Sequence, residues 1–348
     1  MRAMPRRVEA RAPTRIDLAG GTVDLWPLYL LLDSPLTVNA AIDLEAAAVV
    51  ERTAVPGITI ESRDRGARCH LPAGAGLPDA LRSTPKGLEF IVRLALHFLG
   101  GPVPLDASGW SITTACDAPA GSGLGGSSAL GIALAAALDR ATGRGLDREG
   151  LLRVTRGIET RVLAIPTGEQ DYHPALAGGV LGLNYSVEGT RIDRLAVDGA
   201  ALRSRTVLVY TGVSRNSGIS NWDIFKRCLD GEAGVRAALQ ATSDAAHRMR
   251  DALLRGDWNG AAEALDGDWR ARQRLSPAVT DATIDALILE ARAAGALAGK
   301  VCGAGGGGCL VLWVPERGRD ALARRMESRG AKVLEFHYVG HGVRVTES

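Results

Sequence analysis

The residues best suited to chemistry lie in three glycine-rich segments. The first, "DAPAGSGLGGSSALGIAL" (117–134), sets glycines and serines directly against an alanine-rich stretch. Glycine is among the poorest helix formers and alanine the best, so a loop here gives way abruptly to a helix, read from about Ser127 to Ala141. The preceding "WSITTAC" (110–116) reads as a strand. Strand, glycine loop and helix start together make an anion site. The helix start offers free N–H groups and partial positive charge, and glycines let backbone amides approach a phosphate closely. Ser127 and Ser128 could add hydroxyls to a phosphate or a metal ion. A glycine turn with a serine cap is the plainer reading. Gly121, Gly123 and Gly126 satisfy G-x-G-x-x-G, but the acidic residue a dinucleotide fold needs about 20 residues on is replaced by continuing helix. The Gly-Lys-Ser/Thr of a Walker loop is absent.

The second segment, "APTRIDLAGGTVDLWP" (12–27), offers Arg15 for a phosphate or carboxylate and Asp24 for sugar hydroxyls. Gly20 and Gly21 bring backbone close to something. Taken alone, a surface salt bridge beside a hairpin turn explains it as well. Trp26 could stack on a sugar or fill a domain interface. The third segment, "GKVCGAGGGGCLVLW" (299–313), places Gly303 and Gly305 to Gly308 before a strand, not a helix. It is a tight buried turn, or a backbone wall against a bound phosphate or the first glycine loop.

The elements that must position these residues follow from pattern and composition. At 348 residues, 46% hydrophobic and 23% charged, the chain is globular and long enough for two domains. A net charge of +2 argues against a charge-driven nucleic-acid surface. Cys69, Cys116, Cys228, Cys302 and Cys309 are scattered, which fits reduced thiols in a cytoplasmic protein. The N-terminus lacks the apolar core of a secretory signal, and no long apolar run suggests a membrane span. Strands are expected over 46–53, 57–61, 205–212 and 332–338. Helices are expected from a Thr84–Pro85 start to Phe98, over 148–163, through most of 222–295 with breaks near Gly256 and Pro277, and near 317–329. Mixed strands and helices in two clusters suggest a two-domain α+β protein.

Taken together and in order, the three segments resemble the GHMP kinase family over nearly the whole chain. The middle motif, P-x-x-x-G-L-G-x-S-x-A, is matched by Pro119, Gly123, Leu124, Gly125, Ser127 and Ala129. Within the family the chain looks most like the bacterial sugar-kinase branch that includes D-glycero-D-manno-heptose 7-phosphate kinase. The carriers are R-x-x-x-A-G-G at Arg15 to Gly21, G-x-Q-D at Gly168 to Asp171, Y-T-G-x-S-R at Tyr210 to Arg215, and G-K-x-x-G-A-G-G-G-G at Gly299 to Gly308. Galactokinases carry G-E-H-T-D where this chain reads Gly20-Gly21-Thr22-Val23-Asp24.

The resemblance implies an N-terminal domain (1–188) like ribosomal protein S5 domain 2 and a ferredoxin-like C-terminal domain (189–348). It implies ATP and Mg²⁺ as cofactors. The triphosphate would lie on Pro119, Gly121, Ser122, Gly123, Leu124, Gly125, Gly126, Ser127 and Ser128, with a sugar or sugar phosphate between the domains. Asp171 is the candidate base, able to orient an acceptor hydroxyl and take its proton. Arg15 would hold that carboxylate ionised and help neutralise the transferred group. Glu159 matches a family carboxylate that binds Mg²⁺, and Ser127 or Ser128 would complete the protein ligands. A helix-surface pair with Arg156 or Arg161 is the alternative for Glu159. Asp24, Gly20, Gly21, Thr22, Gln170, His173, Arg215, Gly305 and Gly306 are the expected substrate contacts, Arg215 for a phosphate already on the substrate or for a local carboxylate. A non-sugar alcohol such as mevalonate, or a catalytically silent sugar sensor, are the competing functions. No nucleic-acid or membrane partner is expected, and a homodimer stays open.

Overall fold

The computed structural model describes residues 6–103, 108–212 and 217–348. In chain order the first elements are β1 (Arg7–Ala19), β2 (Leu36–Thr53), β3 (Ile58–Ser62), β4 (Ala67–Leu71), α1 (Leu77–Arg82), α2 (Glu89–Phe98), β5 (Gly109–Cys116), α3 (Gly126–Thr142), α4 (Arg148–Leu163), α5 (Tyr172–Ala177), β6 (Val180–Ser186) and β7 (Gly189–Leu195). Then come α6 (Gly199–Arg203), β8 (Thr206–Tyr210), α7 (Ser217–Leu229), α8 (Ala233–Arg255), α9 (Trp258–Gln273), α10 (Ala282–Ala293), β9 (Ala298–Val301), β10 (Cys309–Trp313), α11 (Arg319–Ser328), β11 (Lys332–Leu334) and β12 (Arg344–Glu347).

Among the described residues, one sheet runs β12-β1-β2-β5-β3-β4, with β6 also pairing β2 and β7 pairing β6. Only β3 and β5 run parallel in it. The other sheet is antiparallel, in the order β11-β8-β10-β9. Numbered by their own sequence, those strands stand 4-1-3-2 with helices after the first and third, the split βαβ arrangement of ferredoxin-like domains. The expectation of a two-domain α+β chain therefore holds. The first sheet continues to Leu195 and reclaims residues 344–347, so the division expected at 188/189 falls in the β6–β7 hairpin turn.

Helix α3 is buried along nearly its whole length, from Ser128 to Ala141. Its alanines and glycine let it sit tightly between the sheet, α2 and α4. A side chain at Gly131 would come within 2.7 Å of the Phe90 ring, so only glycine allows the three helices this crossing. Strand β1 carries Ile16 and Leu18 into a core that also contains Leu208, Ala246, Val311 and Trp313. The two halves thus share a hydrophobic core, which holds the residues of both fixed at the cleft between them. The helix expected to start at Thr84–Pro85 begins instead at Glu89. Gly87, at φ +93°, is in a left-handed turn that no helix continues through.

Candidate active site

A cleft of about 230 Å³ opens between the halves. Its wall is the loop that links β5 to α3. Gly121, Gly123 and Gly125 have φ of +70°, +73° and +74°, so alternate residues are in the left-handed region where a Cβ is strained. A loop of this kind can present backbone amides to an anion. Helix α3 starts at its mouth, and Gly125 at the N-cap supplies no side-chain cap. The serines expected to cap it do something else. Ser127 Oγ donates to Glu159 Oε1 at 2.6 Å and Ser128 Oγ to Glu159 Oε2 at 3.1 Å. The first turn of α3 keeps the open N–H groups of every helix start.

Glu159, on α4, is 6% exposed. Besides the two serines it accepts a hydrogen bond from the Tyr172 hydroxyl. Burial pushes its carboxyl above the usual range, the Ser127 and Tyr172 donors pull it down, and the Asp171 charge adds to the rise. Among the described residues no cation pairs with it. Arg156, the neighbour expected as an alternative, pairs with Glu169. A buried carboxylate held by neutral hydroxyls at the edge of a cleft fits a cation arriving with a ligand. No group of three or more His, Cys, Asp or Glu side chains among the described residues is placed to hold a metal alone. That suits Mg²⁺, which takes one or two carboxylates and draws its other oxygens from phosphates and water.

Arg15 comes from β1 and is 2% exposed. Its Nε and Nη2 donate to Asp171 Oδ1 at 2.8 and 2.5 Å, and Nη1 donates to the Gly123 carbonyl at 2.5 Å. Burial disfavours its charge, but Asp171 and then Asp17 outweigh this and raise its pKa. Both bonds reach Oδ1, so no described residue donates to Asp171 Oδ2, and the carboxylate is partly exposed to the cleft.

Asp24 lies at the cleft floor, 3% exposed. It accepts from Gln170 N at 3.0 Å and Gln170 Nε2 at 3.3 Å. Gln170 is fixed in turn by Asn39, which donates to its carbonyl at 2.9 Å. Desolvation drives the Asp24 pKa up to about 7; the Gln170 amide opposes this and the Asp171 charge reinforces it. Thr22, also in the lining, has φ +75°, a strained conformation for a β-branched residue.

The expected site residues divide clearly. Pro119, Gly121, Ser122, Gly123, Gly125, Gly126, Ser127, Ser128, Glu159, Gln170, Asp171, Arg15, Thr22 and Asp24 all line the cleft. Leu124 does not; it is buried in the shared core, and its carbonyl accepts from Arg15 N at 2.9 Å. Gly20 and Gly21 are also outside. A side chain at Gly20 would come within 2.7 Å of Thr37 Cα, and one at Gly21 would strike the Asp17 carboxylate. Their smallness therefore serves packing against their own chain. Gly305 and Gly306 face away too, and Gly306 N donates to the Val279 carbonyl at 2.6 Å. Gly303 and Ala304 line the cleft in their place. His173 is buried outside the lining, and burial followed by the Arg156 charge lowers its pKa to about 4. It is neutral at physiological pH. Trp26 is 62% exposed and outside the lining. Arg215 falls outside the described residues.

The third glycine run does form a wall against the first. Cys309 N donates to the Ser122 carbonyl at 2.7 Å, and a side chain at Gly303 would stand 2.8 Å from the Gly123 carbonyl. Several lining residues escaped the sequence reading: Asp64 and Arg65 in the β3–β4 turn, Leu163 at the end of α4, Ile165, Pro166 and Thr167 after it, Tyr172, and Asn221 on α7. Tyr172 could have been noticed as the neighbour of Asp171. The others carry no motif. The Asn221 Oδ1 is buried without a partner among the described residues.

Residues 89–179 match the family model for the N-terminal domain of GHMP kinases, and residues 249–332 match the model for their C-terminal domain. The D-glycero-alpha-D-manno-heptose 7-phosphate kinase of Campylobacter jejuni is 26% identical over 97% of this chain and 98% of its own length. The mevalonate kinase of Methanothermobacter thermautotrophicus is 27% identical over 91% of this chain and 95% of its own. Among solved structures, the D-glycero-D-manno-heptose 1-phosphate kinase of Bacteroides thetaiotaomicron superposes with a TM-score of 0.74, covering 98% of this chain and 99% of that one at 24% identity.

Proposed function

This chain belongs to the GHMP kinase family, and on that premise we propose that it moves the γ-phosphate of ATP to a hydroxyl of a sugar or sugar phosphate. The observation that carries the reading is the Arg15–Asp171 pair, set beside a glycine-lined helix start and the hydroxyl-bound Glu159. The glycine loop and the start of α3 bind the triphosphate through backbone amides. Glu159 and Ser127 would hold Mg²⁺, which would supply positive charge to neutralise the phosphates. The acceptor hydroxyl sits against Asp171. As its oxygen bonds to the γ-phosphorus, its proton passes to Asp171 Oδ2, and the bond from phosphorus to the β-bridging oxygen breaks, releasing ADP. Arg15 holds Asp171 through Oδ1 and adds positive charge beside the transferred group.

Asp24 and Gln170 present a polar floor suited to an acceptor with several hydroxyls, which favours a sugar over mevalonate. The 27% identity to a mevalonate kinase keeps that alcohol in the test. The five cysteines are free, in keeping with a reducing cytoplasmic compartment, and no helix among the described residues is long and apolar enough to cross a membrane. The experiment is a panel of free sugars, sugar phosphates and mevalonate incubated with ATP and Mg²⁺, with the phosphorylated position assigned by NMR. A sugar or sugar-phosphate product is expected. Transfer to mevalonate alone, or to nothing, overturns the reading.

A further inference from the structure

Four charged side chains behind the cleft are fully buried: Asp17 on β1, Asp268 and Arg272 on α9, and Lys300 on β9. Lys300 Nζ lies 3.1 Å from Asp17 Oδ1 and 2.6 Å from Asp268 Oδ2, and Arg272 Nη1 lies 3.3 Å from Asp17 Oδ2. Each acid thus faces at least one base. A buried network of this kind adds little net stability over well-packed apolar side chains of the same volume. What it adds is fixed hydrogen bonds to backbone. Asp268 Oδ1 accepts from Gly20 N at 2.8 Å. Arg272 Nη2 donates to the Gly303 carbonyl and Nη1 to the Val301 carbonyl.

These contacts line up with those of Arg15. Arg15 and Asp17 are two apart on one strand, so both point to the same face. Arg15 grips the Gly123 carbonyl directly. Asp17 holds Arg272, which grips the Gly303 carbonyl. Gly123 and Gly303 are among the residues at which the first and third glycine segments touch. A guanidinium therefore fastens each side of that contact, and both are referred to β1, the strand that also aims Arg15 at Asp171.

We propose that Arg272 is a positioning residue for phosphoryl transfer, holding the Gly303–Ala304 wall against the glycine loop so that the loop, Arg15 and Asp171 keep one geometry. Arg272 touches neither nucleotide nor acceptor. The inference rests on the kinase reading above. Small displacements of a reacting pair are costly in rate, so the effect belongs in kcat.

The test compares wild type, Arg272→Met and Arg272→Lys on the acceptor found in the panel, at a temperature where circular dichroism shows all three folded. Arg272→Met should lower kcat by about tenfold or more while the Michaelis constant for ATP moves by less than about threefold. Arg272→Lys keeps a charge beside Asp17 and a donor for the Gly303 carbonyl, and should restore kcat to within about threefold of wild type. A merely structural residue would lower the melting temperature and leave kcat per folded molecule unchanged, and that result overturns the proposal. Should Arg272→Met not fold, Arg272→Gln, which keeps a polar donor in the buried site, is read by the same criterion. Wild type active with an equally active neutral variant defeats this inference alone. Wild type inactive on every acceptor defeats the kinase reading and takes this inference with it.

Discussion

Replacing Asp24 with asparagine should stabilise the protein at alkaline pH relative to wild type, and less so at mildly acidic pH. Asp24 is desolvated, and its pKa stands at about 7 in place of the ordinary 3.8. The folded state therefore holds its proton more tightly than the unfolded chain does. The stability this gives is fully present below about pH 3.8 and is lost as the pH rises through about 7. Between about pH 5.5 and 8.5 the wild type loses about 1.36 kcal/mol for each unit up to 7, or about 2 kcal/mol in all. The Asp24→Asn side chain does not titrate and escapes this loss. The site also accommodates an amide. Its oxygen can keep the bond from Gln170 N, and its nitrogen can donate to Gln170 Oε1, a buried oxygen with no partner among the described residues. The assay is urea unfolding of both proteins at the two pH values, followed by circular dichroism. Subtracting the wild-type pH effect from that of the variant cancels every other group. The variant's advantage should grow by about 2 kcal/mol from the lower to the higher pH. An advantage that is the same at both pH values would refute the reasoning that Asp24 is protonated well above the usual carboxylate range. The same variant should bind the acceptor more weakly, since ionised Asp24 is the stronger acceptor for sugar hydroxyls.

Asp171→Asn should lower kcat by about 10²-fold or more while nucleotide affinity, read by calorimetry, stays near wild type. Glu159→Gln should weaken Mn²⁺ binding to the nucleotide complex by about tenfold or more, measured by electron paramagnetic resonance; unchanged Mn²⁺ affinity would remove Glu159 from the metal site. Asn221→Ala should raise the Michaelis constant for the acceptor and leave that for ATP unchanged. Asn221 lies one helical turn before Ile224, which packs in one cluster with Leu25 and Leu28 beside Asp24. Gly123→Ala should abolish nucleotide binding or folding, because the added carbon would run into the Cys302 carbonyl and φ is +73°.

The sequence carried α3 and its glycine loop almost residue for residue, because contrasting propensities sit side by side there. It also carried Arg15, Asp171, Glu159 and Asp24, through the ordered motifs. Other features lay out of its reach for physical reasons. The second half of strand β1 and the first half of β2 are buried on both faces, so they lack the alternation that marks a half-exposed strand. The glycines at 20, 21, 305 and 306 rightly signalled close backbone approach, but a glycine pair cannot say whether the approach is to a ligand or to its own chain. The serines of α3 looked like caps because nothing local reveals a carboxylate arriving from α4. The Asp17–Arg272 contact joins residues 255 apart, and each partner alone reads as an ordinary surface charge.

The proposed reaction is transfer of the γ-phosphate to a sugar hydroxyl at the cleft governed by Asp171. Phosphorus NMR of wild type with ATP, Mg²⁺ and the best acceptor of the panel tests it directly. The γ-phosphate resonance should fall as a sugar-phosphate resonance rises by the same amount, and Asp171→Asn should halt both. Release of the γ-phosphate as inorganic phosphate at a rate indifferent to acceptor, or full transfer by the Asp171→Asn protein, would contradict it.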